Sequence, residues 1–271
     1  MSTSERIFVV VDPSASAHAA LGRVIKTAIQ HSTPPVLKIF VAVDGDAVDT
    51  RCVNENLCRD QSWFDSEIKE VIAATGLDYS IEVSWSHEWQ KSIFKASKHF
   101  SADRIYLPVH SRTSSSRFSF SESKWDLLKT ANCPTVLIQP GATADRKVIL
   151  AAINMQALED EQRALNASIL KWGREVAGIY NADLHVINAF RDSMNYPDRG
   201  KLARETELKA DKIHVVQGYT DEAVSKTATE LNADLVIMGT LGQNGMESSR
   251  RGNTAERVIA ALTQDVMVVN H

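Results

Sequence analysis

The second half of the chain alternates short, continuously apolar runs with longer segments whose apolar residues recur every three to four positions. "KVILAAI" (147–153) is an apolar run of the length and composition of a buried strand. Leu165, Ile169 and Val176 recur at helical spacing, which predicts a helix within 157–180. The same criteria predict strands at "DLHVINAF" (183–190), "KIHVVQG" (212–218), "DLVIMG" (234–239) and "DVMVVN" (265–270), and helices at 221–231 and 254–262.

The chain also contains this pattern twice. "SADRIYLPVHS" (101–111) aligns with "NADLVIMGTLG" (232–242) at an offset of 131 positions, which continues without a gap from 123–139 onto 254–270. The openings of the two copies align at an offset near 142, so the first copy holds about eleven extra residues. Internal repetition of this kind indicates duplication of a whole domain. We therefore predict two domains, 1–140 and 146–271, with a Pro- and Gly-containing linker near 139–146.

Each copy alternates strands with helices, and the first has an added helix near 61–74. Short apolar strands that alternate with helices are typical of a parallel sheet covered on both faces. The predicted fold class is α/β, with two tandem doubly wound parallel-sheet domains. The adenine nucleotide α-hydrolases share this fold class, but fold alone does not fix function.

Composition narrows the functional classes. The 271 residues are 44% hydrophobic and 24% charged, as in globular proteins, and a net charge of −4 with a pI near 6.1 argues against nucleic-acid binding. The sequence has no apolar run long enough for a transmembrane helix, and its N-terminus does not resemble a secretory signal. Three cysteines without metal-site spacing fit a reducing compartment, so a cytoplasmic location without membrane partners is expected.

The stretch "GTLGQNGMESSRRGNT" (239–254) carries the candidate chemistry. Gly239 and Gly242 stand where a strand is predicted to end, and Gly252 stands just before the predicted helix that opens with Asn253 and Thr254. A glycine loop can turn backbone N–H groups towards an anion, and a helix N-terminus adds free donors. The pattern therefore favours phosphate, and neither a Walker loop nor a dinucleotide-binding motif occurs in the chain. Ser248, Ser249, Arg250 and Arg251 would supply further donors and positive charge.

The spacing G-x2-G-x9-G, between "DLVIMG" and a helix with a closing strand, resembles the universal stress protein family. With two copies in one chain, the sequence is similar to the family's tandem, two-domain members of the E type. This resemblance implies a cytoplasmic stress-response protein whose second domain binds an adenine nucleotide such as ATP. By position, the ligand residues would be Asn154, Gly239, Gly242, Gly252, Asn253 and Thr254.

Two of these positions depart from the pattern of the family's nucleotide-binding members. Asn154 stands in the place of an Asp near the adenine, and Asn253 in the place of a Ser or Thr after the last glycine. An asparagine side chain both donates and accepts hydrogen bonds, so neither change forbids a nucleotide.

The first copy departs further from the family pattern. It keeps Asp12, but Pro108, Ser111 and Ser121 replace the three glycines, and a proline has no N–H for a phosphate. We expect this copy to have lost the site, with Asp12 serving as a helix N-cap or in an Asx-turn. His87 and His110 follow strands in this copy. We expect these two histidines to be unrelated surface residues rather than part of a metal site or an acid–base cluster.

Three functions stay open at this point: a nucleotide-binding module, a slow ATPase or phosphotransferase, and a scaffold with a vestigial loop. The enzyme is the weaker alternative, because phosphoryl transfer usually needs a lysine and no lysine stands near the loop. The resemblance also implies that the last strands of the copies, "TVLIQ" and "DVMVVN", meet edge to edge, so that the domains pair within one chain as a pseudo-dimer. Association of two chains into a homodimer is left open.

Overall fold

A computed structural model describes residues 4–44, 61–109, 127–241 and 248–270 of the chain. It divides into two compact units, Met1–Leu127 and Leu128–His271. No helix among the described residues is both long and apolar enough to cross a membrane.

The first unit contains a parallel sheet. Its strands run in the order β3-β2-β1-β4, so the sheet order reverses between β1 and β4, and the three pairings are parallel. The added helix predicted near 61–74 is present as two α-helical pieces joined by a π-helical turn. The elements are β1 (Arg6–Val11), α1 (Ala19–Ala28), β2 (Val36–Asp44), α2 (Gln61–Phe64), the π-turn Asp65–Lys69, α3 (Glu70–Ala73), β3 (Tyr79–Ser86), α4 (Trp89–Phe100) and β4 (Arg104–Pro108).

The described residues of the second unit form six strands in the order β5-β10-β9-β6-β7-β8. All of its pairings are parallel except that between β5 and β10. The strands are β5 (Thr135–Ile138), β6 (Val148–Ala152), β7 (Asp183–Phe190), β8 (Ile213–Gln217), β9 (Leu235–Thr240) and β10 (Asp265–Asn270). The α-helices are α5 (Asp160–Tyr180), α6 (Arg199–Thr206), α7 (Thr220–Glu230) and α8 (Ser248–Ala261), and two 3₁₀ turns span Ser193–Asn195 and Ala210–Lys212. The predicted α/β class with mostly parallel strands is confirmed.

The hydrophobic pattern explains where these elements lie. Ile149, Leu150 and Ala151 are consecutive and all inaccessible to solvent, because β6 is central in its sheet and covered on both faces. Leu165 and Ile169 of α5 are buried as well, as their helical spacing predicts.

The repeated Ala-Asp pair has the same structural role in both units. In the first, the carboxylate of Asp103 accepts a hydrogen bond from the Arg6 N–H at 2.8 Å. In the second, the carboxylate of Asp234 accepts from the Lys147 N–H at 2.7 Å and the Val148 N–H at 3.0 Å. Each aspartate thus ties the start of its copy's fourth strand to the start of the first.

The boundary between the compact units, after Leu127, lies before the linker predicted at 139–146. The physical reason is the pairing of β5, a strand from the first sequence repeat, with β10. Leu137 lies opposite Val266 and Val136 opposite Met267 in this antiparallel ladder. The strands "TVLIQ" and "DVMVVN" therefore form neighbouring strands of the second unit.

The predicted start of the last helix is wrong. We expected it at 254, whereas α8 begins at Ser248. Glycine and short polar residues have low helix propensity, and the composition of 248–253 therefore predicted a loop. Once the buried turn around Val258 is formed, each added residue gains a helical hydrogen bond, and one glycine costs only about 1 kcal/mol. The helix α6 and both 3₁₀ turns were not predicted.

Candidate functional site

A cavity of about 310 Å³ lies at the carboxyl ends of β6 and β9 in the second unit. The chain passes from β6 to β7 and β8 on one side, and β9 lies on the other side of β6, so the sheet order reverses here. Ligands of open α/β sheets bind at such switch points. The lining residues are Ala152, Ile153, Asn154, Gln162, Leu165, Ile169, Thr220, Val224, Met238, Gly239, Thr240, Leu241, Thr254, Ala255 and Val258. Three of the predicted ligand residues, Asn154, Gly239 and Thr254, therefore come together.

Asn154 follows β6 directly and is held through its main chain. Its N–H donates to Oδ1 of Asn166 at 3.1 Å, and its carbonyl accepts from Nδ2 of Asn166 at 2.8 Å. Within the described part of the chain, the exposed side-chain amide of Asn154 makes no hydrogen bond. It is available as both donor and acceptor beside the cavity.

Gly239 lies within β9 rather than in a turn, and its φ is not positive. Its lack of a side chain is explained by packing, because a Cβ at this position would lie 2.6 Å from Cδ1 of Leu165. The buried Leu165 side chain of α5 fills the space above the glycine. Close helix–strand contact, not a left-handed backbone, thus requires glycine here.

The other predicted ligand residues have different positions. Thr254 lies in α8 and is exposed at the cavity. Gly252 and Asn253 lie within α8, not in a loop ahead of it as predicted, because the helix begins at Ser248. Gly242 lies outside the described residues, as do the side chains of 248–253, which include the predicted donors Ser248, Ser249, Arg250 and Arg251.

Two buried asparagines near the site were missed by sequence reasoning. Asn166 of α5 accepts a further bond from Nε2 of Gln162 at 3.2 Å. Asn188 of β7 accepts from the N–H of Met155 at 2.8 Å and donates to Oε1 of Gln156 at 2.8 Å. Asn166 orders Asn154, which lines the cavity, whereas Asn188 orders Met155 and Gln156, which do not. The only sequence signal of the two buried asparagines was a polar residue inside an otherwise apolar pattern, which does not reveal its partner.

Two helices that line the cavity are joined by an ion pair. The guanidinium of Arg257 in α8 donates to both carboxylate oxygens of Asp221 in α7, at 2.6 and 2.8 Å. Thr220 and Thr254, on the same two helices, both line the cavity. A bidentate pair fixes relative orientation as well as distance, so it holds these two threonines in place relative to each other.

The equivalent region of the first unit has a different local structure. Asp12 is buried after β1, and its Oδ1 accepts from the N–H of Ser14 at 2.8 Å and from the Ser14 hydroxyl at 2.6 Å. This confirms the predicted Asx-turn. Pro108 ends β4, whereas Ser111, Ser121 and His110 lie outside the described residues. Among the residues described, no group of three or more His, Cys, Asp or Glu side chains is placed to hold a metal ion.

Comparison with known proteins shows which family the second half of the chain resembles. Residues 147–270 match the universal stress protein family. This match covers most of the second unit, and proteins that bear the name of the same family are similar to most of the chain. Universal stress protein E of Photorhabdus laumondii is 22% identical, and the similarity covers 99% of this chain and 96% of that protein.

Solved structures share the fold. A functionally unknown protein from Pseudomonas aeruginosa PAO1 superposes with a TM-score of 0.78 at 23% identity, covering 99% of this chain and 93% of the other. A universal stress protein from Archaeoglobus fulgidus gives a TM-score of 0.72 at 15% identity, with coverage of 99% and 97%. At these identities the likeness shows the fold alone.

Proposed function

We propose that the second unit binds an adenine nucleotide, ATP, in the cavity at the ends of β6 and β9, and that the protein acts as a nucleotide-binding stress-response protein of the cytoplasm. One observation carries this proposal. Asn154, from the start of the second repeat, and Gly239 and Thr254, from its last part, are all ligand residues predicted from the sequence, and they line one cavity at the switch point of the sheet. Gly242, Gly252 and Asn253 stay predicted ligand residues.

The chemistry of the lining suits a nucleoside. Ile153, Val224 and Val258 supply apolar contact for a flat base. The amides of Asn154 and Gln162, with the hydroxyls of three threonines, supply donors and acceptors for ring nitrogens and ribose hydroxyls. A mostly apolar cavity with a few convergent polar groups is the usual form of a small-molecule site.

Binding without turnover is the favoured form of this activity. Phosphoryl transfer usually needs a carboxylate that holds a metal, a lysine on the phosphates and a group that positions the nucleophile. The described residues that line the cavity include neither a carboxylate nor a lysine. We therefore propose a sensor or carrier of the nucleotide.

The proposal extends to pairing of the two sequence repeats within the chain. Its support is the antiparallel ladder in which β5, from the first repeat, lies beside β10, from the second. This ladder gives each strand a hydrogen-bonded neighbour and so removes an exposed edge.

ATP titration of the purified full chain tests the proposal, with calorimetry and a thermal melt as measurements. Binding is expected to be saturable and to raise the melting temperature with ATP concentration. Thr254→Val should weaken it several-fold, because the variant removes a hydroxyl at the cavity. Thr263→Val is the matched control, since Thr263 is also exposed but does not line the cavity. If neither ATP nor ADP changes the melting curve or gives heat of binding, the proposal is wrong and a scaffold function is favoured.

A further inference from the structure

Asn166 connects the strand end of the candidate site to α5 through a single buried amide. Its Oδ1 accepts from the Asn154 N–H at 3.1 Å, while its Nδ2 donates to the Asn154 carbonyl at 2.8 Å. The side chain is only 4% exposed. An amide supplies one acceptor and one donor from two different atoms, whereas an ionised carboxylate of the same shape has no donor for the carbonyl.

The same amide also holds a second residue of the cavity. Nε2 of Gln162 donates to Oδ1 of Asn166 at 3.2 Å, and Gln162 lies one helical turn before Asn166 on α5. Asn154 and Gln162 both line the cavity, whereas Asn166 does not. Two groups that face the cavity from different elements thus depend on one buried side chain behind them.

The side-chain amide of Asn154 is the part of this residue that can hydrogen-bond a ligand. Both of its main-chain polar groups are occupied by Asn166, so its Cα is fixed relative to α5 and its side-chain amide projects from a fixed point. We infer that Asn166 is a positioning residue for ligand binding in this cavity, acting through Asn154 and Gln162 without touching the ligand. This inference rests on the proposed function.

Asn188 provides a matched control, because it holds Met155, the residue after Asn154, in a similar way. Asn188, fully buried in β7, accepts from the Met155 N–H at 2.8 Å and donates to the Ala189 carbonyl at 3.1 Å. Neither Asn188 nor Met155 lines the cavity. A change of amide to carboxylate therefore perturbs the same segment at both positions, but only Asn166 should affect binding.

The experiment measures the affinity for ATP of the full-length wild type, Asn166→Asp and Asn188→Asp by calorimetry at pH 5 and pH 8. Burial raises the pKa of a carboxyl group, so an aspartate at this buried position is expected to be protonated at pH 5 and ionised at pH 8. The ionised form would repel the Asn154 carbonyl, whereas the protonated form regains an O–H donor. We expect Asn166→Asp to bind about tenfold more weakly than the wild type at pH 8 and to approach wild-type affinity at pH 5. Asn188→Asp should keep wild-type affinity at both pH values. Each variant's affinity is divided by the wild-type affinity at the same pH, because the protonation of ATP itself then affects both values equally.

Several outcomes would overturn the inference. It is wrong if Asn166→Asp binds like the wild type at pH 8, if its deficit does not depend on pH, or if Asn188→Asp shows the same loss. Should either aspartate variant fail to fold, the uncharged pair Asn166→Ser and Asn188→Ser replaces it, and only the first must weaken binding. A wild type that binds no ATP overturns the proposed function together with this inference, whereas a wild type that binds with no difference between the variants overturns the inference alone.

Discussion

Leu165 of α5 rests directly on Gly239 of β9, and a Cβ added to the glycine would lie 2.6 to 2.7 Å from three atoms of the leucine side chain. Both residues line the candidate cavity. Gly239, which the sequence predicts to be part of a phosphate-binding loop, therefore also has a packing role. The contact couples the stability of the second unit to the shape of its cavity.

Gly239→Ala should destabilise the second unit by about 1–3 kcal/mol, because a core at native density cannot accept the extra methyl group without moving Leu165. Urea unfolding measures the change. Leu165→Ala should reduce the free energy of unfolding less in the Gly239→Ala background than in the wild type, since the added methyl group occupies part of the volume that the leucine vacates.

Gly178→Ala is the control for this prediction. Gly178 lies in α5, and a Cβ there would have no neighbour within 4 Å. Replacing it by alanine should stabilise the helix by about 0.5–1 kcal/mol through propensity alone. Equal effects of the two alanines would show that Leu165 does not restrict position 239.

Acid should destabilise the second unit through a pair of stacked histidines. Nδ1 of His185 and Nε2 of His214 are 2.9 Å apart, and the Lys212 ammonium lies 3.3 Å from the other ring nitrogen of His185. An ammonium only donates, so Lys212 donates to Nε2 of His185, and His185 donates through Nδ1 to His214, with both rings neutral.

Burial, followed by the charge of Lys212, lowers the pKa of His185. Burial also lowers the pKa of His214, against the opposing effect of Glu230. Between these lowered values and the unfolded value of 6.5, the unfolded state binds more protons, so stability falls as the pH drops through that window.

Urea midpoints at pH 7.5, 6.5 and 5.5 measure this effect. The wild type should lose stability over this range, and a His185→Asn/His214→Asn variant should lose less. The same pH dependence in the double variant would contradict the role given to the pair.

Arg146→Met should destabilise the second unit by about 3–5 kcal/mol, because it removes the buried guanidinium that is paired with the fully buried Asp265 carboxylate. Arg146 also donates to the Asp234 carbonyl, and Asp265 accepts from the Gln139 N–H at 2.9 Å. Replacing both ionic partners, as Arg146→Met/Asp265→Leu, should recover much of the loss, since both charges of this buried pair are then removed.

The exposed pair of Arg163 with Asp160 provides the comparison. Arg163→Met should change the free energy of unfolding by no more than about 1 kcal/mol, because both charges are solvated. A similar effect at both arginines would indicate that burial does not determine the contribution of Arg146.

Much of the fold could be predicted from the sequence because its signals are local. The strand "DLHVINAF" was predicted with the bounds that β7 has, and "DVMVVN" with those of β10. Strand and helix periods are set by backbone geometry, so they can be read from the order of apolar residues. The repeated Ala-Asp pair was likewise visible in the sequence, although its hydrogen bonds to the first strand were not.

The candidate site was predictable only in part. Asn154, Gly239 and Thr254 were predicted as ligand residues from the family resemblance, and they line one cavity. The role of Asn166 was not predictable, because its partner lies in a different element.

The sequence by itself determined the alternation of strands and helices, the internal repetition of residues and the resemblance to a family, since these depend on short-range pattern and on similarity along the chain. Only the tertiary structure decided that α8 begins at Ser248, that Asn166 holds the main chain of Asn154, and that Leu165 is the reason for a glycine at 239. The physical reason is that these features depend on which surfaces meet after folding. Packing and long-range hydrogen bonds can override local propensity, and no local pattern specifies the partner.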